Sequence, residues 1–286
     1  MNPFSLPFMQ TALAASLLAG TTLSLLGTFI LARRQVFSGL AVSQLAALGT
    51  VVGVLVGLHY GASLLALAFV GAGMFFIARF SKIREAPSET WVAGLYVLGA
   101  GLAVMVLSKA PRGESETMGV FFGNILTLTN REIWESLVMT VLSAGILWVW
   151  FPRWVWLSFD PISAEVSGLR VDGWNLLFYS LFAVVMTFSI HILGVLLAFA
   201  YLFLPAAAGF LGVRRMRTLF VFVPSAAVGL TVAGFWLSFR WDFPTGPFLA
   251  VLMAIFVVLM RVEASLIRKK SRPTAVLDGG KEGSSG

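Results

Sequence analysis

Cysteine is absent from the sequence, and charged residues are scarce. Without thiols the chain cannot form disulfides, bind zinc or iron–sulfur clusters through cysteine, or use a cysteine nucleophile. Asp, Glu, Lys and Arg make up 12% of the 286 residues, whereas 58% are hydrophobic. Soluble domains carry about 25% charged residues. So few charges cannot cover a water-facing surface, and the composition predicts an integral membrane protein with several spans.

Groups for catalysis or ion coupling are also missing. Neither His59 nor His191 has an acidic residue within one helical turn in sequence, and no Asp or Glu falls in the middle of a long apolar run. General acid–base catalysis needs such groups, as do the relays of proton- or sodium-coupled carriers. No GxxxxGKS or GxxxxGKT phosphate loop occurs. The sequence therefore predicts no enzyme, and a transport path would need to be driven by another polypeptide.

Long apolar runs dominate what is present. Runs of about 18 apolar residues or more are typical of membrane-spanning helices, and nine such spans are predicted. No basic residue precedes the first run, which is expected to be a span rather than a secretory signal. The predicted spans cover residues 6–32, 40–58, 62–79, 90–108, 134–151, 175–191, 194–212, 219–238 and 246–266.

The basic residues set the predicted orientation. If the C-terminus is cytoplasmic, only Lys109, Arg112, Arg131 and Arg240 of the 20 Lys and Arg residues face outward. Cytoplasmic loops are enriched in basic residues, so this orientation is favoured, with the N-terminus outside. The net charge of +7 is thus explained by membrane orientation, and no nucleic-acid partner is predicted.

One transmembrane domain is predicted over residues 1–267, followed by a flexible basic and Gly/Ser-rich cytoplasmic tail at 268–286. The stretch RVEASLIRKKSR is expected to anchor lipid headgroups, which makes membrane lipid a partner. Two connections are longer than the others, an outer one at 108–134 and an inner one at 152–175, and long connections often have functions. An aromatic belt at one interface is predicted from four tryptophans, Trp148, Trp150, Trp154 and Trp156.

The inner connection contains a predicted short helix. Asp160 followed by Pro161 is a helix start, because Asp is a favoured N-cap and Pro suits the first helical position. Glu165 is expected near the N-terminal turn, where the helix dipole favours negative charge. Gly168 is expected to end the helix. Such a helix is either an ordinary interfacial linker or a docking site for a cytoplasmic motor.

Five blocks of sequence follow one another along residues 10–266. They are LGTFILARRQVFSGLAVSQLAALG, VFFGNILTLTNREIW, DPISAEVSGLRV, ILGVLLAFAYLFLPAAAGFL and DFPTGPFLAVLMAIFVVL. The third has the spacing D-x-x-x-A-x-x-x-G, and the fifth begins D-x-P-x-G-P. In this order the blocks resemble the permease subunit of the ABC importer family for zinc, manganese and iron. That family is related to the vitamin B12 and iron-siderophore permeases.

The resemblance implies an all-α polytopic membrane fold with about nine transmembrane helices, in the bundle of B12-type permeases (type II ABC importers). It implies a homodimer in the bacterial inner membrane and a periplasmic substrate-binding protein. A separate cytoplasmic ABC ATPase would bind ATP and Mg²⁺, and this chain would bind no cofactor. Contact with the ATPase falls to segment 152–175, at Asp160, Ala164, Glu165 and Gly168.

The sequence departs from this family along the expected transport path. The family commonly has an Asp near the start of the second span, a His four residues later, and another His in the fourth span. Leu40, Gln44 and Leu98 occupy those positions here. A bare divalent ion needs ligands to replace its water, preferably imidazole or carboxylate. The polar candidates along the path are Ser43, Gln44 and His191.

His191 is predicted either as an interfacial histidine or as a metal ligand or gate residue at the outer mouth. Gly194 is expected to turn the chain between the sixth and seventh spans. Pro205 is expected to kink the seventh span, because proline removes a backbone hydrogen bond. Gly194 and Pro205 are therefore hinge candidates, although proline kinks also occur in static spans.

The resemblance implies ATP-driven import of a transition-metal ion (zinc, manganese or iron) or of its chelate. Two alternatives remain open. One is a permease for a non-metal small organic ligand, which would explain the apolar residues Leu40 and Leu98. The other is a membrane scaffold without a translocation path.

Overall fold

A computed structural model of the chain describes residues 7–57, 62–80, 88–109, 123, 128 and 130–270. His59, most of the outer connection at 108–134, and residues 271–286 of the tail lie outside them. The described residues form ten helices and no strand. The helices are α1 (Pro7–Ala32), α2 (Val36–Leu55), α3 (Ala62–Phe80), α4 (Ser88–Leu107), α5 (Asn130–Val149), α6 (Phe151–Phe159), α7 (Pro161–Val166), α8 (Val171–Gly212), α9 (Met216–Trp241) and α10 (Thr245–Lys270).

Helix α8 has 42 residues but reverses direction within them. Gly194 has φ 76° and ψ 165°, a backbone conformation that glycine adopts and other residues resist. The ring of Phe178 packs 6.4 Å from that of Phe29 in α1, and the backbone of Leu202 meets α1 at Gly27. A straight helix would separate Phe178 from Leu202 by roughly 36 Å. The chain must therefore double back at Gly194.

The two arms of α8, residues 171–193 and 195–212, correspond to the predicted sixth and seventh spans. Within the described ranges, seven helices are long and apolar enough to cross a membrane, with α8 counted once. The described apolar stretch of α3, Ala62–Phe76, is shorter than those seven. When the two arms of α8 and this stretch are counted separately, the arrangement agrees with about nine spans. The predicted all-α membrane bundle is confirmed.

Helix α1 lies at the centre of the packing. It contacts α8, α9 and α5, whereas α2 packs against α3 and α4. Gly49 and Gly53 of α2 lie so close to Ala66 and Ala62 of α3 that an added methyl group would overlap their backbone. Small residues spaced four apart allow such approach, and close packing is a main source of helix association in lipid.

A cluster of large aromatic residues lies near one end of α1. Trp154 is fully buried, and its indole Nε1–H donates to the backbone oxygen of Ile146 at 3.2 Å. Its ring packs edge-on to Trp174 at 5.2 Å. The prediction of an aromatic belt is therefore wrong for Trp154, because a tryptophan whose N–H has an internal partner can enter the core. Trp148, by contrast, is exposed.

The bundle has two distinct ends. One of them, called the α7 end below, contains α7, the turn at 33–35 and the starts of α8 and α9. Arg33 bonds to Asn175 at the start of α8, and Phe29 packs on Phe220 of α9 with ring centroids 5.9 Å apart. His191 lies at the opposite end, beside the start of α5. Three connections predicted to be cytoplasmic, those after α1, between α5 and α8, and before α9, thus meet at the same end.

Candidate functional site

Helix α7 is a short helix capped at both ends. The Asp160 Oδ1 accepts a hydrogen bond from the backbone N–H of Ser163 at 3.1 Å, and Pro161 takes the first helical position. Hydrogen bonds from the side chain and backbone of Ser163 lower the pKa of the Asp160 carboxyl. Beyond Val166, Gly168 has φ 87°, a left-handed conformation common after helix ends. The predicted capped helix is confirmed, and its contact with an ATPase stays a prediction.

Glu165 does not lie where the sequence suggested. The first turn of α7 contains no acidic residue. Glu165 comes just before Val166, the last of the six helical residues, and the C-terminal end of a helix dipole does not favour negative charge. The prediction of dipole stabilisation at Glu165 is therefore wrong. The reason is the brevity of α7, whose first and last turns almost coincide. Glu165 is nevertheless exposed and accessible.

The side chains of α7 divide between the core and the surface. Ala164 is fully buried and belongs to the main hydrophobic cluster. Ile162 is 75% exposed and Val166 is 85% exposed, and residues four apart lie on the same helix face. Exposing two aliphatic side chains to water is energetically unfavourable. The helix is thus anchored on one face and offers a small apolar surface on the other.

A partly buried arginine joins α7's supporting helix to the rest of the bundle. Arg33 Nε donates to Ser158 Oγ of α6 at 3.2 Å, and Nη1 donates to Asn175 Oδ1 of α8 at 2.9 Å. The guanidinium also lies 4.0 Å from the ring centre of Phe178. These four residues are called the Arg33 cluster below. They tie the end of α1, the helix before α7, and the start of α8 together.

The two residues of the basic pair in the first sequence block have different environments. Burial lowers the pKa of the Arg33 guanidinium, and its Nη2 is buried without a hydrogen-bond partner among the described residues. Arg34 is exposed, with φ 58° in the turn to α2. The sequence alone does not distinguish the environments of these two arginines. Arg33 holds the cluster, whereas Arg34 is available to solvent.

Ser43 and Gln44 lie on α2 where it faces other helices. Ser43 is buried, and its hydroxyl donates to the Leu40 backbone oxygen at 2.7 Å. Gln44 is also buried, and its Oε1 has no hydrogen-bond partner within the described part of the chain. Gln44 packs against Gly99 of α4, next to Leu98, which is 53% exposed. The α2 position Gln44, where the family has His, therefore lies beside the segment of α4 that contains Leu98. Their role in a transport path stays a prediction.

His191 has a carboxylate neighbour that the sequence did not suggest. Its Nε2 lies 3.7 Å from Glu132 Oε1 in the first turn of α5. The histidine side chain is about half exposed, and the glutamate is mostly buried. Glu132 was missed because it is far from His191 in sequence. Gln44 lies between α2 and α4, whereas His191 lies between α8 and α5. The two residues therefore belong to different helix contacts.

The hinge candidates differ in geometry. Gly194 interrupts the helical backbone and reverses the chain between the arms of α8. Pro205 lies buried within the C-terminal arm, and its neighbour Ala206 packs with Leu219 and Val223 of α9. The helical backbone of α8 is interrupted at Gly194 and not at the proline. Movement about either residue stays a prediction.

The chain is similar to bacterial transport proteins over most of its length. It is 22% identical over 250 residues to the manganese transport system membrane protein MntC of Listeria monocytogenes, covering 87% of this chain and 88% of that protein. It is 25% identical over 278 residues to the chelated iron transport system membrane protein YfeD of Yersinia pestis, covering 96% and 92%.

The fold also matches that of a solved structure. PsaBC from Streptococcus pneumoniae, in complex with Fab, superposes with a TM-score of 0.82 at 19% identity, covering 92% of this chain and 96% of the matched chain. The model of the ABC 3 transport family matches residues 5–263, which include α1 to α9 and most of α10. The chain therefore belongs to the ABC 3 transport family, as the five sequence blocks predicted.

Proposed function

We propose that the chain is the transmembrane permease subunit of an ATP-driven importer in the bacterial inner membrane. Its cargo is a transition-metal ion (zinc, manganese or iron) or its chelate. Family membership and relatives named for manganese and chelated iron transport support this. The observation that carries the proposal is α7, a capped helix with a bare apolar face, fixed to the bundle through α6 and the Arg33 cluster.

The partners follow from the two ends of the bundle. The α7 end is cytoplasmic, and an ABC ATPase dimer contacts α7 there, at Ile162 and Val166 and around Asp160, Glu165 and Gly168. ATP and Mg²⁺ bind to that ATPase, and this chain has no enzymatic role and no cofactor. The N-terminus is outside, where a periplasmic substrate-binding protein docks. Residues 1–267 form the permease domain, and 268–286 form a cytoplasmic tail.

A homodimer would place the transport path between two copies. Helix α4 exposes large apolar side chains, among them Val97, Leu98 and Met105, and such a face needs lipid or protein to cover it. In the proposed dimer it turns toward the second copy. The cargo then passes Ser43 and Gln44 of α2. A path with amide and apolar groups favours a cargo that keeps some of its own ligands, such as a chelate or a hydrated ion.

Energy reaches this path mechanically. ATP binding closes the ATPase dimer and displaces α7. Because Ala164 is buried in the core and α6 is bonded to Arg33, the displacement passes to α1 and α8 together. The arms of α8 then pivot about Gly194, with Pro205 as the second flexible point.

Substitutions in α7 and at Gly168 just after it are expected to weaken ATPase binding while the fold stays intact. Gly168→Val forces a β-branched residue into a left-handed backbone, and should lower metal uptake and ATPase co-purification about tenfold. Glu165→Lys should weaken co-purification by reversing an exposed charge. The measurements are pull-down of the ATPase and ATP-dependent uptake in vesicles.

Two control variants make the same types of substitution at positions outside α7. Gly173→Val changes a helical glycine with open space around it, and Glu263→Lys reverses an exposed charge on α10. Both should retain pull-down and uptake. Normal pull-down with Gly168→Val and Glu165→Lys would show that α7 is an ordinary linker.

The His191–Glu132 pair is expected to receive metal at the outer mouth. The two atoms are 3.7 Å apart, close enough to flank one divalent ion whose bonds are about 2.1 Å long. His191→Ala or Glu132→Gln should raise the half-saturating concentration of Mn²⁺, Zn²⁺ or Fe²⁺ about tenfold, and leave the maximal uptake rate unchanged. The assay is ATP-dependent uptake with the ATPase and binding protein present.

Glu135→Gln is the control, because Glu135 is paired with Arg131 at 2.8 Å and not with the histidine. An unchanged concentration dependence for both His191→Ala and Glu132→Gln would identify His191 as an interfacial residue only. Uptake of an organic solute, with no ATP-dependent uptake of any of these ions or their chelates, would refute the proposed cargo itself.

A further inference from the structure

A cleft opens on the surface where α5, α6 and α9 meet. Its volume is ≈410 Å³, within the ~300–1,000 Å³ typical of ligand sites. Five of its six lining residues are apolar or aromatic and the sixth is an arginine. They are Trp148, Phe151, Pro152, Phe220, Val221 and Arg217. No acidic side chain from the described part of the chain lines it.

The cleft has a buried floor and an open side. The rings of Phe220 and Phe151 are 4.9 Å apart between centroids, and Phe220 is buried. Trp148, 70% exposed, and Val221, 61% exposed, stand at the open side. Because α5 and α9 are both long and apolar enough to span a membrane, a surrounding bilayer would bring its acyl chains to this open side.

Arg217 lies at the rim, in the first turn of α9 at the α7 end. It is exposed, as are Arg214 and Arg215 just before it. Within the described ranges, no salt bridge engages any of the three. A cationic rim thus stands above an apolar cleft, at the level where α9 leaves the membrane.

We propose that this cleft binds one anionic phospholipid from the leaflet at the α7 end. An acyl chain lies against Trp148, Phe151 and Phe220, and the headgroup phosphate contacts Arg217. Basic residues near the membrane surface attract anionic lipids, and arginine matches phosphate geometry well. Charge complementarity between the rim and the headgroup favours a lipid over an apolar protein segment. The site is independent of the cargo, so it does not rest on the proposed function.

The occupant would lie between two parts of the transport machinery. Phe151 and Pro152 begin α6, the helix that leads into α7, whereas Phe220 and Val221 belong to α9. A bound acyl chain would fill the gap between them. The lipid would therefore support α6 from the membrane side, opposite to the Arg33 cluster.

Native mass spectrometry of the purified full chain, titrated with phosphatidylglycerol or phosphatidylcholine, tests the site. The wild type should retain phosphatidylglycerol preferentially. Arg217→Gln should weaken its retention about fivefold, and Val221→Trp should exclude both lipids by filling the cleft. Arg240→Gln, at the other end of the same helix, and Val228→Trp, also exposed on α9, should behave as wild type.

Equal retention by Arg217→Gln and Arg240→Gln would overturn the proposal, as would equal binding of the two lipids by the wild type. A third result would also overturn it. If Val221→Trp leaves lipid retention unchanged but prevents association with the ATPase or with a second copy, the cleft is a protein interface. All variants change exposed residues, and size-exclusion chromatography confirms that each is folded.

Discussion

Gly27→Ala is expected to destabilise the folded chain strongly. A Cβ on Gly27 would lie 2.7 Å from the carbonyl carbon of Leu202 and closer still to its oxygen. Both are backbone atoms of α8, so no side-chain rotation can relieve the overlap. Overpacking in a core usually costs about 1–3 kcal/mol, and the rigid backbone contact places this site at or above roughly 3 kcal/mol. The measurement is the thermal unfolding midpoint of the purified protein in detergent.

Alanine substitutions at two other glycines are the controls for Gly27→Ala. Gly229→Ala adds a methyl group on α9, where no described residue lies within 4 Å, and should leave the unfolding midpoint unchanged or slightly higher. At Gly73 the overlapping atoms belong to the flexible side chain of Leu45, so Gly73→Ala should have an intermediate effect. A midpoint for Gly27→Ala equal to that of Gly229→Ala would show that α1 and α8 can separate without loss of stability.

The spans and the reversal at Gly194 could be predicted from the sequence because their causes are local. Hydropathy marks the apolar runs, and a glycine between two runs permits a sharp turn. The cap of α7 is local too, since Asp160 and Pro161 act on residues next to them. Among these local features, the place of Glu165 in α7 was misjudged, because the length of such a short helix is hard to fix from sequence.

The remaining features depend on packing between distant segments. Glu132 and His191 meet only because α5 packs beside the first arm of α8. Trp154 enters the core because Ile146, one helix earlier, offers a backbone oxygen to its N–H. Composition cannot distinguish this tryptophan from the exposed Trp148, and a single sequence contains no record of which residues meet.

The contacts of Arg33 also depend on packing between distant segments, and their loss has the larger expected effect on function. Its partners Ser158 and Asn175 are more than a hundred residues away in sequence, on α6 and α8. Desolvation of a charged guanidinium is unfavourable, and two hydrogen bonds and the face of Phe178 offset it. The Tyr179 hydroxyl, beside this ring, donates to Gln35 of the same turn. The arrangement holds α6, and so α7, in a fixed position against α1 and α8.

Arg33→Gln is expected to uncouple ATP hydrolysis from transport. Glutamine is too short to reach both Ser158 and Asn175, and each lost charge-assisted hydrogen bond removes about 1.5–3 kcal/mol. Helix α6 would then move with α7 without displacing α1. We expect the number of ions imported per ATP hydrolysed to fall at least about tenfold. The free energy that corresponds to a tenfold change is no larger than the free energy lost with one such hydrogen bond. ATP hydrolysis by the assembled complex should continue.

Arg34→Gln supplies the matched control, because it removes the same charge from the exposed neighbour and should leave the ratio of import to hydrolysis intact. Arg33→Lys should lie between the two, since an ammonium group keeps the charge but lacks the planar fork. A purely structural role predicts a different pattern. Import and hydrolysis would then fall together with the amount of folded complex, and their ratio would stay constant. Only a changed ratio identifies Arg33 as the residue through which α7 moves the transport path.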